Sequence, residues 1–383
     1  MTDHRTRLHY LDQVLPLLYP SPPGVGATVS VPAACPASRV SYAAYALVPS
    51  RFLPRRLVPR SRWLPGRRRL PQGPGTIEGY LSQVLGEPVR ATCHVRPALR
   101  ANRKPILEIH GATGKPLAFV KIGDTDRSRA LVRHESATLE LLAATPLKVV
   151  VSPAVLHHGV WNGLEVLVLS PLPVRRDRIS SLPVRRGRIS PALLNRAIAE
   201  IATLGMPRVA PPGAGRRDPH PHPCQHLHPL AHAHPHSHPH WHPHPHPHPH
   251  PHPVSLSPGL SGTGRHAWHG DFSPWNMAPS PDGRLLVWDW ERFATGVPLG
   301  FDALHHFFQR ALRRMPPPVA AEACLAQAVR TLAPFGLSAG EARETAVRYL
   351  IALADRYERD GHQPLGPPSQ WLNPLVDHQE VLP

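Results

Sequence analysis

Two acidic loops flanking a short apolar run set the strongest constraint on this chain. The stretch His269-Gly270-Asp271-Phe272-Ser273-Pro274-Trp275-Asn276 leads on to Leu285-Leu286-Val287-Trp288 and then to Asp289-Trp290-Glu291. A short apolar run bounded by turn residues reads as a buried strand, and a fold built on it has carboxylates and a carboxamide on neighbouring short loops. A carboxylate so placed can take a proton from an attacking hydroxyl. An amide oxygen and a second carboxylate suit a hard divalent cation such as magnesium, which takes oxygen ligands and keeps several waters. Phosphoryl transfer from a nucleotide needs those parts: an orienter for the acceptor, and metal ions bridging the phosphates. The competing interpretation is a Trp-rich surface hairpin with incidental acids.

The order of these residues resembles the catalytic loop and metal-binding segment of the aminoglycoside phosphotransferase/choline kinase family, whose fold is that of the protein kinases. In that family the sequence runs His-Gly-Asp, four residues, Asn, a short hairpin, then Asp at the next strand end. The resemblance implies that Asp271 is the catalytic base, with His269 bracing its loop. It implies Asn276 and Asp289 as Mg2+ ligands, and ATP or GTP as the phosphoryl donor.

Upstream, the chain reads as the small β-rich part such a fold requires. Thr76 to Gly86 is an amphipathic helix, with Thr76 as N-cap and Gly86 placed to end it. Strands follow at 89–95, 105–110 and 117–122, the last two joined by a turn with glycines at 111 and 114. Lys121 sits among apolar neighbours in the third strand, where an ammonium can reach a nucleotide phosphate; an outward-facing strand lysine is the alternative. A helix over 126–144 carries Leu131, Glu135, Leu139 and Leu142 at helical spacing. The resemblance makes Glu135 the partner of Lys121, against the plainer role of an exposed helix glutamate. One departure stands out. The loop Arg96 to Lys104 has no glycine, so backbone amides are less free to approach phosphate. Side chains there (Arg100, Asn102, Arg103 or Lys104) would substitute as donors, and Asn102 and Arg103 join Lys121 and Glu135 as the expected nucleotide-binding set.

Further strands are expected at 149–156 and 164–170, the second resembling the strand that leads into a kinase hinge. Leu172 to Ser180 repeats ten residues later as Leu182 to Ser190, with Gly187 in place of Asp177. Two copies do not make a solenoid, and a local duplication in a hinge loop accounts for them. Helices are expected at 192–204, 303–314, 318–333 and 338–358. Asp302 resembles the family's acid that braces the catalytic loop, and a plain N-cap would explain it as well. His305 and His306, on a Phe-rich helix, read as packed side chains.

Composition marks where packing stops. Of the 51 prolines, 33 lie in residues 1–75, in the tail beyond Gly361 and in an insertion at 206–263. Within that insertion, Pro219 to Pro253 alternates His with Pro and holds 15 of the 28 histidines. Polyproline geometry has about three residues per turn, so a His at every second position spirals over all faces and forms no chelating row. The tract is expected to be a disordered linker with adventitious Ni or Zn binding. The net charge of +17 comes from 39 Arg against 4 Lys, a skew that points to genomic composition more than to nucleic acid. Four scattered cysteines and no long apolar run are read as a cytoplasmic chain without disulfide framework or membrane span.

The fold class expected is therefore α+β: a two-lobed, protein-kinase-like arrangement. Residues 76–170 would form a small antiparallel β lobe with one helix. Residues 171–383 would form an α-rich lobe interrupted by 206–263, and 1–75 a Pro/Arg-rich leader holding short strands at 42–49 and 56–60. The activity expected is transfer of a nucleotide γ-phosphoryl to a hydroxyl of a small molecule. A non-catalytic kinase-shaped scaffold and a basic polyanion binder are the alternatives.

Overall fold

The computed structural model describes residues 10, 13–20, 38–39, 69–71, 73–95, 103–174, 189–205, 265–361 and 365–373. All of them belong to one compact unit made of Met1–Met206 with Val254–Pro383. The expected strands at 42–49 and 56–60, Asn102, most of the duplicated segment and the His-Pro tract lie outside the described residues. The described chain is a mixed α/β structure with an antiparallel sheet and packed helices.

Strands β1 (Ser38–Arg39) and β2 (Arg69–Leu70) form a short antiparallel pair. The main sheet has five antiparallel strands: β3 (Arg90–Val95), β4 (Pro105–His110), β5 (Pro116–Gly123), β7 (Val155–Trp161) and β8 (Leu164–Leu169), in the order β3-β4-β5-β8-β7. Period-two alternation divides its side chains between two faces. On one face Leu107, Ile109, Ala118, Val120, Ile122, Val166 and Val168 join a core with Val14, Leu15, Leu18 and Tyr19 from helical turns at 13–18, and with Ile77 and Leu81. The Pro/Arg-rich leader thus contributes apolar residues to a core. The other face belongs to Lys121 and Leu167, which are direct cross-strand partners. There Leu167 and Leu169 pack with Val132, Leu139 and Leu142 of the helix Asp126–Ala143.

That helix starts where its sequence says it should. Thr125 and Ser128 form a reciprocal capping box, satisfying amide donors that the first turn cannot pair internally. The helix Ile77–Leu85 is capped by Thr76, whose hydroxyl accepts from the Gly79 amide at 3.2 Å, and it ends at Gly86 with φ 75°.

The strand expected over 149–156 divides in two, because Pro153 has no amide to donate to a ladder. Its first part, β6 (Val150–Val151), pairs in parallel with β11 (Leu285–Val287), and β10 (Met277–Pro279) flanks β11 antiparallel. Glu200, on the helix Pro191–Thr203, accepts amide hydrogen bonds from Lys148, Val149 and Val150 at 2.6–3.1 Å and ties β6 to that helix. The long helix expected over 318–333 is three pieces: Pro317–Ala326, Ala328–Leu332 and a 3-10 turn at Ala333–Phe335 that contains Pro334. The break between the helices falls at Gln327, whose φ of -98° and ψ of 5° leave the helical region. With the helices Phe301–Ala311 and Ala339–Arg359, these segments bury Phe308, Tyr349, Leu350, Leu353 and Trp371 in the second core. Among the described residues, no helix is long and apolar enough to cross a membrane.

Candidate active site

The hairpin β10–β11 is what brings the acidic loops together. Met277 pairs with Val287, and the Trp288 amide donates to the Asn276 carbonyl at 3.1 Å, so Asn276 arrives beside Asp289. The loop before it is tightly fastened. Gly270 has φ 80°, and a Cβ there would collide with the Arg292 carbonyl, so the position needs glycine twice over. The amides of His269 and Gly270 donate to the two carboxylate oxygens of Asp302 at 2.7 and 3.3 Å. Asp302 lies in the first turn of its helix, and the N-cap is Gly300 at φ 98°. The plain N-cap explanation for Asp302 is thereby corrected: its side chain faces the loop. Burial pushes its carboxyl up to about 7, although the two amide donors pull the other way.

His269 is fully buried, and burial brings its imidazole down to about 4, with Asp271 and Asp289 acting in opposition. The ring is therefore neutral. Its Nδ1 accepts from the Asp271 amide at 3.1 Å and its Nε2 donates to the Trp288 carbonyl at 3.2 Å. One imidazole thus links the loop that carries Asp271 to the strand end that carries Asp289.

Asp271 is surrounded by neutral donors. Ser273 Oγ donates to Oδ1 at 2.5 Å, Asn276 Nδ2 donates to Oδ2 at 2.9 Å, and His305 Nε2 lies 3.1 Å from Oδ1. Burial alone would raise this carboxyl, but the hydrogen bonds from His305 and Ser273 hold it below the usual carboxylate range. An ionised carboxylate only accepts, so His305 carries its proton on Nε2. Its Nδ1 then accepts from the Tyr349 hydroxyl at 3.1 Å. The Asp271 side chain stays 23% exposed, which leaves it an open approach. Because the Asn276 amide nitrogen is committed to Asp271, its Oδ1 is the atom that can serve a cation.

The charged half of the site is built differently. The Lys121 ammonium, 6% exposed, donates to Glu135 at 2.5 and 2.6 Å and to Asp289 at 2.7 Å. Glu135 is fully buried and also accepts the Trp290 amide at 3.1 Å. Asp289 has φ 75°, rare for a residue with a side chain, and such strain persists only where the surroundings over-determine it. Lys104, 1% exposed, is ion-paired with Glu291. Oxygens of Glu135, Asp289 and Glu291 all lie within 4.8 Å of one another. This all-oxygen donor set suits a hard cation of the magnesium class and not a soft metal.

Asp271, His269, Asn276, Asp289, Asp302, Lys121 and Glu135 therefore meet in one place. Arg103 does not join them: its guanidinium lies over the Tyr10 ring, 4.5 Å from the centroid. His305, read as a packed side chain, turns out to contact Asp271. The signal for it was spacing, since His305 follows Asp302 by three residues and so shares its helix face. Ser273, two residues after Asp271, was equally within reach. Tyr349 and Arg356, whose guanidinium donates to the Gly270 carbonyl at 2.5 Å, lie on a distant helix and left no local signal.

No protein-family model and no curated protein matches the chain. Among solved structures it is similar to a protein from Haemophilus somnus 129PT proposed to be a fructosamine-3-kinase, at 14% identity and a TM-score of 0.41. The similarity covers 79% of this chain and 96% of that one. A likeness that distant leaves the chemistry to be read from the side chains themselves.

Proposed function

We propose that the chain is a small-molecule phosphotransferase, moving the γ-phosphoryl of ATP or GTP to a hydroxyl group. The observation that carries this is the bridge made by Lys121, whose one ammonium touches Glu135 and Asp289 while Asp271 stands open across the hairpin. In this reading residues 76–170 form the smaller lobe and 171–383 the larger, interrupted by 206–263, as in the protein kinases. Lys121, held by Glu135, grips a nucleotide phosphate as a point charge. Asp271 accepts a hydrogen bond from the acceptor hydroxyl and aims its oxygen at the γ-phosphorus. The new P–O bond forms as the bond to the leaving nucleoside diphosphate breaks, and the hydroxyl proton passes to Asp271. With its carboxyl held below the usual range, Asp271 serves as an orienter that takes the proton late, as suits a loose transition state. Asn276 and Asp289 would hold magnesium, which when bound supplies positive charge to the phosphate oxygens.

A thermal-shift assay with ATP and with GTP, each with and without magnesium, tests the first half of this proposal, because a ligand stabilises only what it binds. A magnesium-dependent rise in melting temperature is expected; no rise with either nucleotide rejects the proposal. Labelled nucleotide and a panel of hydroxylated small molecules test the second half. Binding without transfer to any of them would leave a non-catalytic nucleotide binder.

A further inference from the structure

Beside the catalytic loop lie more arginines than its packing accounts for. Arg356 donates to the Gly270 carbonyl, one residue before Asp271, and its guanidinium lies 5.4 Å from the Trp268 ring centroid. The Arg292 carbonyl is what a Cβ at Gly270 would strike, and the Arg292 guanidinium donates to Asp360 at 2.5 Å. Arg127, in the first turn of the helix Asp126–Ala143, pairs with the same Asp360 and donates to the Arg359 carbonyl at 2.6 Å. Segments far apart in sequence thus bring four guanidiniums together. Among the described residues, Asp360 pairs with Arg127 and Arg292, while Arg356 and Arg359 form no ion pair. Even counting Asp271, which is close enough to act on Arg292, four positive charges face two negative ones.

Ordinary helix chemistry explains part of this. Arg356 and Arg359 lie in the last turn of the helix Ala339–Arg359, where the helix dipole favours cations. Arg127 stands at the opposite end of its own helix, where the dipole disfavours one. A clasp through Asp360 needs one arginine, and two share it. Burial, together with Arg356 and Arg127, brings the Arg292 guanidinium down to about 9. Donors are left over as well. Arg127 Nε is buried without a hydrogen-bond partner, and Arg292 Nε and Nη1 have none among the described residues. A guanidinium offers paired donors that match the oxygens of a phosphate or carboxylate.

We propose that Arg127, Arg292 and Arg356 form an oxyanion site beside the catalytic loop; resting on the phosphotransferase reading above, its ligand is a phosphate or carboxylate group carried by the hydroxyl acceptor. Lys121 is the cation already given to the nucleotide, which leaves this cluster for the other substrate.

Calorimetric titration of the full chain with sodium phosphate at constant ionic strength tests the site. The comparison is Arg127→Gln, which leaves Arg292 its pair with Asp360. The variant is expected to bind phosphate about tenfold more weakly and magnesium–triphosphate within about twofold of the unmodified chain. No phosphate binding by the unmodified chain, or equal binding by the two, would mean an ion-pair clasp only and overturns the proposal. A loss as large for the triphosphate assigns the arginines to the nucleotide and overturns it too. Should circular dichroism show Arg127→Gln unfolded, Arg127→Lys carries the test: it keeps the charge and loses the fork, and phosphate affinity is expected to fall about threefold or more. Unchanged affinity there overturns the site. Among hydroxylated acceptors, those bearing a phosphate or carboxylate are expected to exceed their neutral counterparts about tenfold in kcat/KM, with phosphate inhibiting in competition with the acceptor. A preference for neutral or cationic acceptors overturns the acceptor assignment. Phosphate binding without transfer to any acceptor rejects the phosphotransferase reading and leaves the oxyanion site standing.

Discussion

Asp271, partly exposed, and Asp289, buried, are carboxylates at the two ends of one hairpin held by opposite means. Around Asp271 the partners are a serine hydroxyl, a carboxamide and an imidazole, all neutral. Around Asp289 and its neighbour Glu291 they are lysine ammoniums. On the proposed phosphotransferase reading, the difference follows from what each carboxylate would have to meet. A group that receives a proton from a substrate keeps an open edge and partners that do not compete for charge. A group that faces cations and phosphates sits well in a cluster where one cation can be exchanged for another. The strained backbone at Asp289 belongs to the charged side, where the ion pair with Lys121 holds it.

The largest expected effect breaks the neutral side. Asp271→Asn keeps the shape and removes the charge, and turnover is expected to fall by about a thousandfold or more, with nucleotide affinity changed no more than about twofold. Steady-state kinetics and calorimetry read the two separately. An equal loss of both would mean that the two carboxylates are not specialised. On the charged side, Asp289→Asn is expected to abolish the magnesium dependence of nucleotide binding, lowering affinity in magnesium by about tenfold or more. Unchanged binding in the calorimeter would remove Asp289 from the metal site.

The same contrast explains what the sequence made legible. Asp271, Asn276 and Asp289 were visible because polar groups on loops around an apolar strand have no packing reason to be there. Lys121 was visible because it stands among Phe119, Val120 and Ile122 in a chain with few lysines, and its pairing with Glu135 came from the resemblance alone. The neutral partners were hidden. His305 and Tyr349 lie among Phe301, Phe308 and Trp268, where aromatic packing accounts for them equally well until coordinates show the contacts. The helical turns at 13–18 were hidden for another reason, since Pro16 interrupts the apolar run of Val14, Leu15 and Leu18. The break near Pro153 was in plain view, and hydrophobic periodicity outweighed it wrongly.

Acid should act on the neutral side first. Burial keeps His269 and His306 neutral to about pH 4, against an ordinary value of 6.5. Between those values an unfolded chain binds two protons that the folded chain excludes. Asp302 opposes them: pushed by burial from 3.8 up to about 7, it holds one proton in the fold that the unfolded chain releases. Two less one leaves a net uptake on unfolding, and His305 and His157, also shifted down by burial, add to it, so stability falls as pH drops from 6.5 towards 4. Urea denaturation at pH 7 and pH 5 measures this. Equal or greater stability at pH 5 would mean that the imidazoles around Asp271 are not held neutral.

The finest test removes one neutral partner at a time. His305→Gln loses the imidazole that faces Asp271, and its effect is that of a hydrogen bond to a charged group, about tenfold in kcat. Tyr349→Phe acts one step further away: it frees Nδ1 of His305 and with it the choice of tautomer. Its effect should be smaller, about two- to fivefold in kcat, the scale of a neutral hydrogen bond. KM for the nucleotide should stay constant in both, since neither residue touches the charged cluster. A merely structural loss would move KM and kcat together. If Tyr349→Phe lowers kcat as much as His305→Gln does, the tautomer is what holds Asp271; if it does nothing, His305 works through its own packing, and the chain of neutral donors ends one residue earlier.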